Sequence, residues 1–339
     1  MKLKIDFAQN VNALGAPKAF EKVVIKNHDS FLNYPDPNLK ELNNSLANFA
    51  GVDSKSITYL NGSTEAFFNL PKFINKKKAL IVQPTFWEYE VSNKKNGRSM
   101  KTFLLEEDSD FRLDVNKLDK EIAPNSVVYL CNPNNPTATL IDKSLLLKLI
   151  KKHKDTDFVV DETYLIFRHD YKDLTLVKDA QKTKNLYLVT SLSKIFALPG
   201  IRAGFMVSYP ENISKYVESK TPYNLSPING ILTQWLLKQH KFIIKTQEYY
   251  KKARTPFLKD LKKKFDGRLQ IFDSEANFIF AKILTKQSST DITKSLSRKG
   301  MIIRDGAELP FLDDNWIRFT IKKPKYNKML VSELDRLLK

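Results

Sequence analysis

Thr190-Ser191-Leu192-Ser193-Lys194 sets a lysine just after a short apolar run, beside two serine hydroxyls, and Arg202 follows eight positions later. A lysine that forms a Schiff base must be partly deprotonated, a state favoured by desolvation and by nearby cations. Ser191, Ser193 and Arg202 are donors suited to a phosphate, the guanidinium through its planar fork. The plainer use of the same residues is a helix start with an exposed lysine. Val159-Val160-Asp161-Glu162-Thr163-Tyr164 puts an acid at the C-terminal end of a second apolar run. Parallel sheets bind ligands at that end of their strands, although an acid in a simple turn would look the same. Cys131-Asn132-Pro133-Asn134-Asn135-Pro136-Thr137 follows a third run. Its X-Pro bonds favour extended backbone that would fix the Asn135 amide, or they mark an ordinary Asn-Pro turn. Asn61-Gly62-Ser63-Thr64-Glu65 precedes a helical pattern; its free N–H groups and hydroxyls form an anion site or a capping box. Pro84-Thr85-Phe86-Trp87 offers an aromatic face at Phe86 for stacking, or simply a core aromatic.

These residues need a scaffold that holds them at one edge. Ala79–Gln83, Ser126–Cys131, Phe158–Asp161, Leu186–Thr190 and Ala203–Val207 each read as a buried strand of about five residues. Amphipathic segments lie between them, including Thr64–Phe73 and Leu145–Lys154. This alternation predicts an α/β fold with a mostly parallel sheet sandwiched by helices. From about Ser226 the texture changes. A long helical pattern is expected from Asn229 through Lys264, then strands at Ala276–Ile283, Met301–Arg304 and Trp316–Ile321, with helices at Ile292–Lys299 and Asn327–Leu338. Three parts are expected: an N-terminal segment 1–32 packing with the small domain, a large domain 33–225, and a smaller α/β domain 226–339.

The 339 residues, 42% of them hydrophobic, suffice for a sizeable core and about two domains. One cysteine, Cys131, excludes disulfides and CxxC metal pairs. The four histidines lie outside every motif, so no metal site is expected. No signal peptide or membrane-spanning run is read, so a cytoplasmic setting is expected. The net charge of +18 comes from lysines scattered along the chain. They are read as a solvated surface rather than a nucleic-acid site, and no nucleic-acid or membrane partner is expected.

In this order and rough spacing, the five motifs resemble the aspartate-aminotransferase superfamily of fold-type I pyridoxal-5′-phosphate enzymes. Within it the whole chain is similar to threonine-phosphate decarboxylases and histidinol-phosphate aminotransferases. The resemblance implies a seven-stranded sheet and pyridoxal phosphate as cofactor. It implies that Lys194 carries the cofactor as a Schiff base, that Asp161 pairs with the pyridinium nitrogen, making the ring an electron sink, and that Tyr164 and Asn135 meet the ring oxygen O3′. Phe86 would stack on the ring. Gly62, Ser63, Thr64, Ser191, Ser193 and Arg202 would surround the phosphate. Tyr34, in Asn33-Tyr34-Pro35-Asp36, would reach the phosphate of a neighbouring subunit, which implies a homodimer with shared active sites. Arg318 would grip the substrate α-carboxylate, Arg304 would lie near the substrate phosphate, and Asn12 and Asn277 would face the substrate. One departure is plain: Ala138 stands where the family usually has glycine.

Both subfamilies form the same external aldimine, with Lys194 set free as an amine. They differ in which bond at Cα stands perpendicular to the ring, a matter of substrate pose. The segment Asp6–Pro17 and the run Ala197-Leu198-Pro199-Gly200-Ile201-Arg202 look more like the decarboxylases. The expected reaction is decarboxylation of L-threonine phosphate or L-serine phosphate to an amino-alcohol phosphate. The alternative is amino transfer between histidinol phosphate, or a similar phosphorylated amine, and glutamate/2-oxoglutarate.

Overall fold

The computed structural model describes residues 4–339. The start of the N-terminal segment, residues 1–3, lies outside the described residues. The chain begins with a two-residue strand β1 (Ile5–Asp6) and continues into a seven-stranded sheet. Its strands are β2 (Ile57–Asn61), β3 (Lys78–Gln83), β4 (Ser99–Leu104), β5 (Ser126–Cys131), β6 (Asp157–Asp161), β7 (Leu186–Ser191) and β8 (Ala203–Val207). Their spatial order is β2-β8-β7-β6-β5-β3-β4, and only β8 runs against the rest. Six aligned strands therefore end on one rim, and β8 begins there.

The central strands are buried on both faces, as a sheet covered by crossover helices requires. On one face Tyr129, Val159, Val189 and Met206 pack with Phe67 and Leu70 of the helix Ser63–Phe73. On the other, Leu130, Val160, Leu188 and Phe205 pack with Leu146, Leu149 and Ile150 of the helix Lys143–Lys152. That helix starts on a conventional cap: the Asp142 carboxylate accepts from the N–H groups of Ser144 and Leu145. The second core continues into a four-stranded antiparallel sheet of β9 (Leu269–Ile271), β10 (Phe278–Ile283), β12 (Arg304–Asp305) and β13 (Trp316–Thr320). Strand β11 (Met301–Ile302) leaves that sheet and pairs in parallel with β1.

The structure departs from the expected elements in a few places. The strands Ile57–Asn61 and Ser99–Leu104 complete the large sheet. The long helix divides into Pro227–Leu237 and His240–Lys264. The expected strand Met301–Arg304 splits between two sheets. Among the described residues no helix is long and apolar enough to cross a membrane.

Candidate active site

The rim of the seven-stranded sheet collects the chemistry. β2 leads into Gly62 and Ser63, β3 into Phe86, β5 into Asn135 and β7 into Lys194; β6 ends at Asp161 with Tyr164 just beyond it, and Arg202 leads into β8. A single pocket there is lined by Ser63, Thr64, Phe86, Cys131, Asn135, Asp161, Thr163, Tyr164, Ser191, Ser193, Lys194 and Arg202, with Pro199.

Asp161 is buried, and desolvation is the main cause that raises its pKa. Two donors offset this: the Thr163 N–H at 2.9 Å from Oδ1 and the Tyr89 hydroxyl at 2.8 Å from Oδ2. They hold the carboxylate in place and favour its charged form. Lys194 moves the other way. Burial first, then the positive field of Arg318 and Arg202, bring its pKa down to about 8. Its Nζ donates to the Gln9 carbonyl at 2.8 Å. Burial pushes the Tyr164 phenol up to about 12, so it remains a hydroxyl across the neutral range.

At the other end of the pocket, Gly62 has φ +80, and a Cβ there would stand 2.2 Å from Arg202 Nη2. Only glycine leaves room for the guanidinium beside the N-terminus of the helix Ser63–Phe73. Gly204 has the same character: a Cβ would meet the Thr190 carbonyl at 2.8 Å and the Ser63 nitrogen at 3.1 Å. The Tyr59 hydroxyl donates to the Arg202 carbonyl at 2.7 Å and fixes that residue, whose φ is 50.

This donor set fits pyridoxal phosphate. An acid lies at one end for a ring nitrogen, and amine, phenol and amide groups line the middle. Free N–H groups, hydroxyls and a guanidinium converge at the other end, around a glycine cradle that a side chain would fill.

The residues expected to meet substrate are less uniformly placed. Arg318 is buried, donates to the Asn135 side chain and the Ala8 carbonyl, and leaves its Nε without a partner. Burial lowers its pKa to about 10, so it stays cationic at neutral pH. Arg304 lies outside the pocket lining, paired with Glu308 at 2.6 Å. Asn12 is buried beside the pocket-lining segment. Its amide is committed to the Ile195 carbonyl at 2.7 Å and to Thr246 Oγ1 at 2.8 Å, and its Oδ1 accepts from the Leu14 N–H. A side chain spent in this way braces the segment. The Asn277 amide nitrogen donates to the Asn10 carbonyl at 2.8 Å, while its Oδ1 is buried with no partner among the described residues. Asn10, which the sequence did not single out, reaches the Tyr164 hydroxyl at 3.4 Å. Tyr89 was also missed. Its position three residues after Phe86 was the available signal, because that spacing sets two aromatics side by side; their rings lie 5.7 Å apart. Tyr34 is 86% exposed and touches Tyr223 rather than the pocket of its own chain.

An amine, a buried acid and a glycine-lined cup of donors along one rim of this sheet are the arrangement of a pyridoxal-phosphate enzyme of fold type I. The family model described as aminotransferase class I and II matches residues 2–334. The chain belongs to that family, whose cofactor is pyridoxal phosphate. It is 32% identical over 331 residues to a Caldanaerobacter subterraneus subsp. tengcongensis protein provisionally named threonine-phosphate decarboxylase, covering 97% of this chain and 89% of that one. It is 30% identical over 306 residues to the histidinol-phosphate aminotransferase of Ruminiclostridium cellulolyticum, covering 89% and 82%. Among solved structures, the histidinol-phosphate aminotransferase from Clostridium acetobutylicum superposes with a TM-score of 0.90 at 27% identity, covering 98% of each chain. The L-threonine-O-3-phosphate decarboxylase from Porphyromonas gingivalis gives 0.86 at 25%, covering 98% of this chain and 99% of that one.

Proposed function

We propose that the protein decarboxylates a small amino-acid O-phosphate, L-threonine phosphate or L-serine phosphate, releasing CO₂ and an amino-alcohol phosphate. One observation carries this choice over amino transfer. The N-terminal segment, whose sequence leans toward the decarboxylases, is the segment that touches the reacting groups. Ala8 meets Arg318, Gln9 meets Lys194 and Asn10 meets Tyr164. Substrate pose decides which bond at Cα breaks, so the residues that crowd these groups govern the branch.

When bound, pyridoxal phosphate supplies an electron sink for the pair left at Cα. The protein's residues do the rest. Asp161 would hold a proton on the ring nitrogen, supported by Tyr89 and Thr163. Gly62, Ser63, Thr64, Ser191, Ser193 and Arg202 would hold the cofactor phosphate, and Phe86 would cover one face of the ring. Arg318 would receive the substrate carboxylate through its unpartnered Nε. As the Cα–carboxylate bond breaks and CO₂ departs, Lys194 Nζ would deliver a proton to Cα. Arg304 would meet the substrate phosphate. In a homodimer, Tyr34 would complete the phosphate cup of the neighbouring subunit; its exposure, shared by Ile25, Phe31 and Leu32, supports such an interface. A cytoplasmic setting suits an enzyme with one buried thiol.

The alternative, transfer of an amino group between histidinol phosphate or a similar phosphorylated amine and 2-oxoglutarate, uses the same residues, with Lys194 removing the Cα proton instead. Purified holoenzyme given threonine phosphate or phosphoserine should release CO₂. Glutamate formed from histidinol phosphate and 2-oxoglutarate, with no CO₂ in the first assay, would overturn the decarboxylase reading.

A further inference from the structure

Arg304 and Arg318 stand opposite each other on neighbouring antiparallel strands, yet their guanidinium groups are engaged differently. Arg318 is buried against Asn135 and Ala8. Arg304 lies over the Trp87 ring, 5.6 Å from its centroid, and donates from Nη1 to Glu308 Oε2 at 2.6 Å. Its Nε is buried and, among the described residues, has no partner. Trp87 is the neighbour of the pocket-lining Phe86, with ring centroids 5.0 Å apart, so Arg304 stands one ring beyond the pocket wall. Its positive field reaches Lys194 and Arg318.

Glu308 supplies the counter-charge from the short turn Gly306–Glu308. That turn is pinned: a Cβ at Gly306 would stand 2.4 Å from the Trp316 carbonyl oxygen. The Glu308 side chain itself is 61% exposed. A pair this exposed is weak, so a ligand that adds contacts beyond those the carboxylate makes can displace it.

We propose that Glu308 determines specificity: its carboxylate holds Arg304 in place of the substrate's phosphate, and only an anion stronger than a carboxylate displaces it. The proposal rests on the reading of the substrate as an amino-acid O-phosphate. A ligand carboxylate arriving at Arg304 exchanges like for like and gains nothing. A phosphate brings more negative charge and three acceptor oxygens, enough to engage both Nη1 and the unpartnered Nε. The chain's own acid thus works against substrates that carry a carboxylate where the phosphate belongs.

Trp87 reports the exchange, since its ring lies against the guanidinium. Holoenzyme is titrated with inorganic phosphate and separately with acetate, following tryptophan fluorescence, and Trp87→Phe identifies the signal. Phosphate should give a saturable change, and acetate none at concentrations about tenfold higher. Glu308→Gln should tighten phosphate binding about fivefold and allow acetate to bind. Arg304→Gln should abolish both effects. The proposal is overturned by an unchanged phosphate affinity in Glu308→Gln, by wild-type protein that binds acetate as well as phosphate, or by the absence of any Trp87-dependent signal. If threonine phosphate and phosphoserine prove not to be substrates, the substrate reading fails, while this titration still decides the role of Glu308.

Discussion

Lys194 is the residue whose surroundings set the working pH. With a pKa near 8, roughly a tenth of its amine is neutral at pH 7 and half at pH 8. The rate at which apoprotein captures pyridoxal phosphate, followed by borohydride trapping, should rise through pH 8 and level off above it. Arg318 is the second cause of the depression, after burial. Arg318→Leu should therefore move the inflection to higher pH and lower the capture rate at pH 7 several-fold; an unmoved inflection would sink this account. At this scale the sequence was legible where function is local in the chain. Lys194 and Arg202, or Asp161 and Tyr164, stand within one short run. Asn10, Gln9 and Tyr89 were not, because their partners lie 154, 185 and 72 residues away. No short motif records a contact that only the fold creates.

Among the elements, the turn after β6 stores an unusual acid. Glu162 is fully buried beside Asp161 and accepts from the Thr175 hydroxyl and the Leu176 N–H at 2.9 Å. Burial is the largest cause raising its pKa to about 7. Because the folded-state value lies above the unfolded one, its contribution to stability is full below about pH 4.5 and is lost as pH rises through 7. Glu162→Gln should gain on wild type between pH 5 and pH 8 by on the order of 2–3 kcal/mol, read from urea unfolding at the two pH values. A difference that does not change with pH would show that the carboxyl is not titrating there. The elements that escaped the sequence did so for separate local reasons. Ser99–Leu104 is an edge strand with exposed Lys101 and Thr102, so it lacks an apolar run. The helix break at Lys238-Gln239 involves residues that favour helices and contains no glycine or proline. The division of Met301–Arg304 between β11 and β12 was not legible, since two residues each are too few for any period to show.

At the scale of the whole molecule, the two sheets are tied by charge as well as by a shared core. Arg168, just after the β6 turn, pairs with Asp170 at 2.6 Å and with Glu275, which precedes β10, while Arg254 lies 3.7 Å from the same carboxylate. The α/β alternation was legible because buried parallel strands read as unbroken apolar runs. The pairing of β1 with β11 was not, since it joins opposite ends of the chain. The exposed Tyr34 carries a prediction about assembly. Lys194→Ala and Tyr34→Ala chains, each impaired alone, should on unfolding and refolding together regain about a quarter of wild-type activity, because each mixed dimer rebuilds one intact site. No recovery would mean that sites are not shared.

The reversed strand β8 has a consequence for how such enzymes can be rebuilt. Because it turns back beside β7, the residues from 192 to 202 form the tip of a single hairpin, which brings Lys194 and Arg202 to the same pocket. Had β8 run parallel, a long crossover would have separated the two. As built, they form one transplantable cassette, and grafting that hairpin moves both groups together.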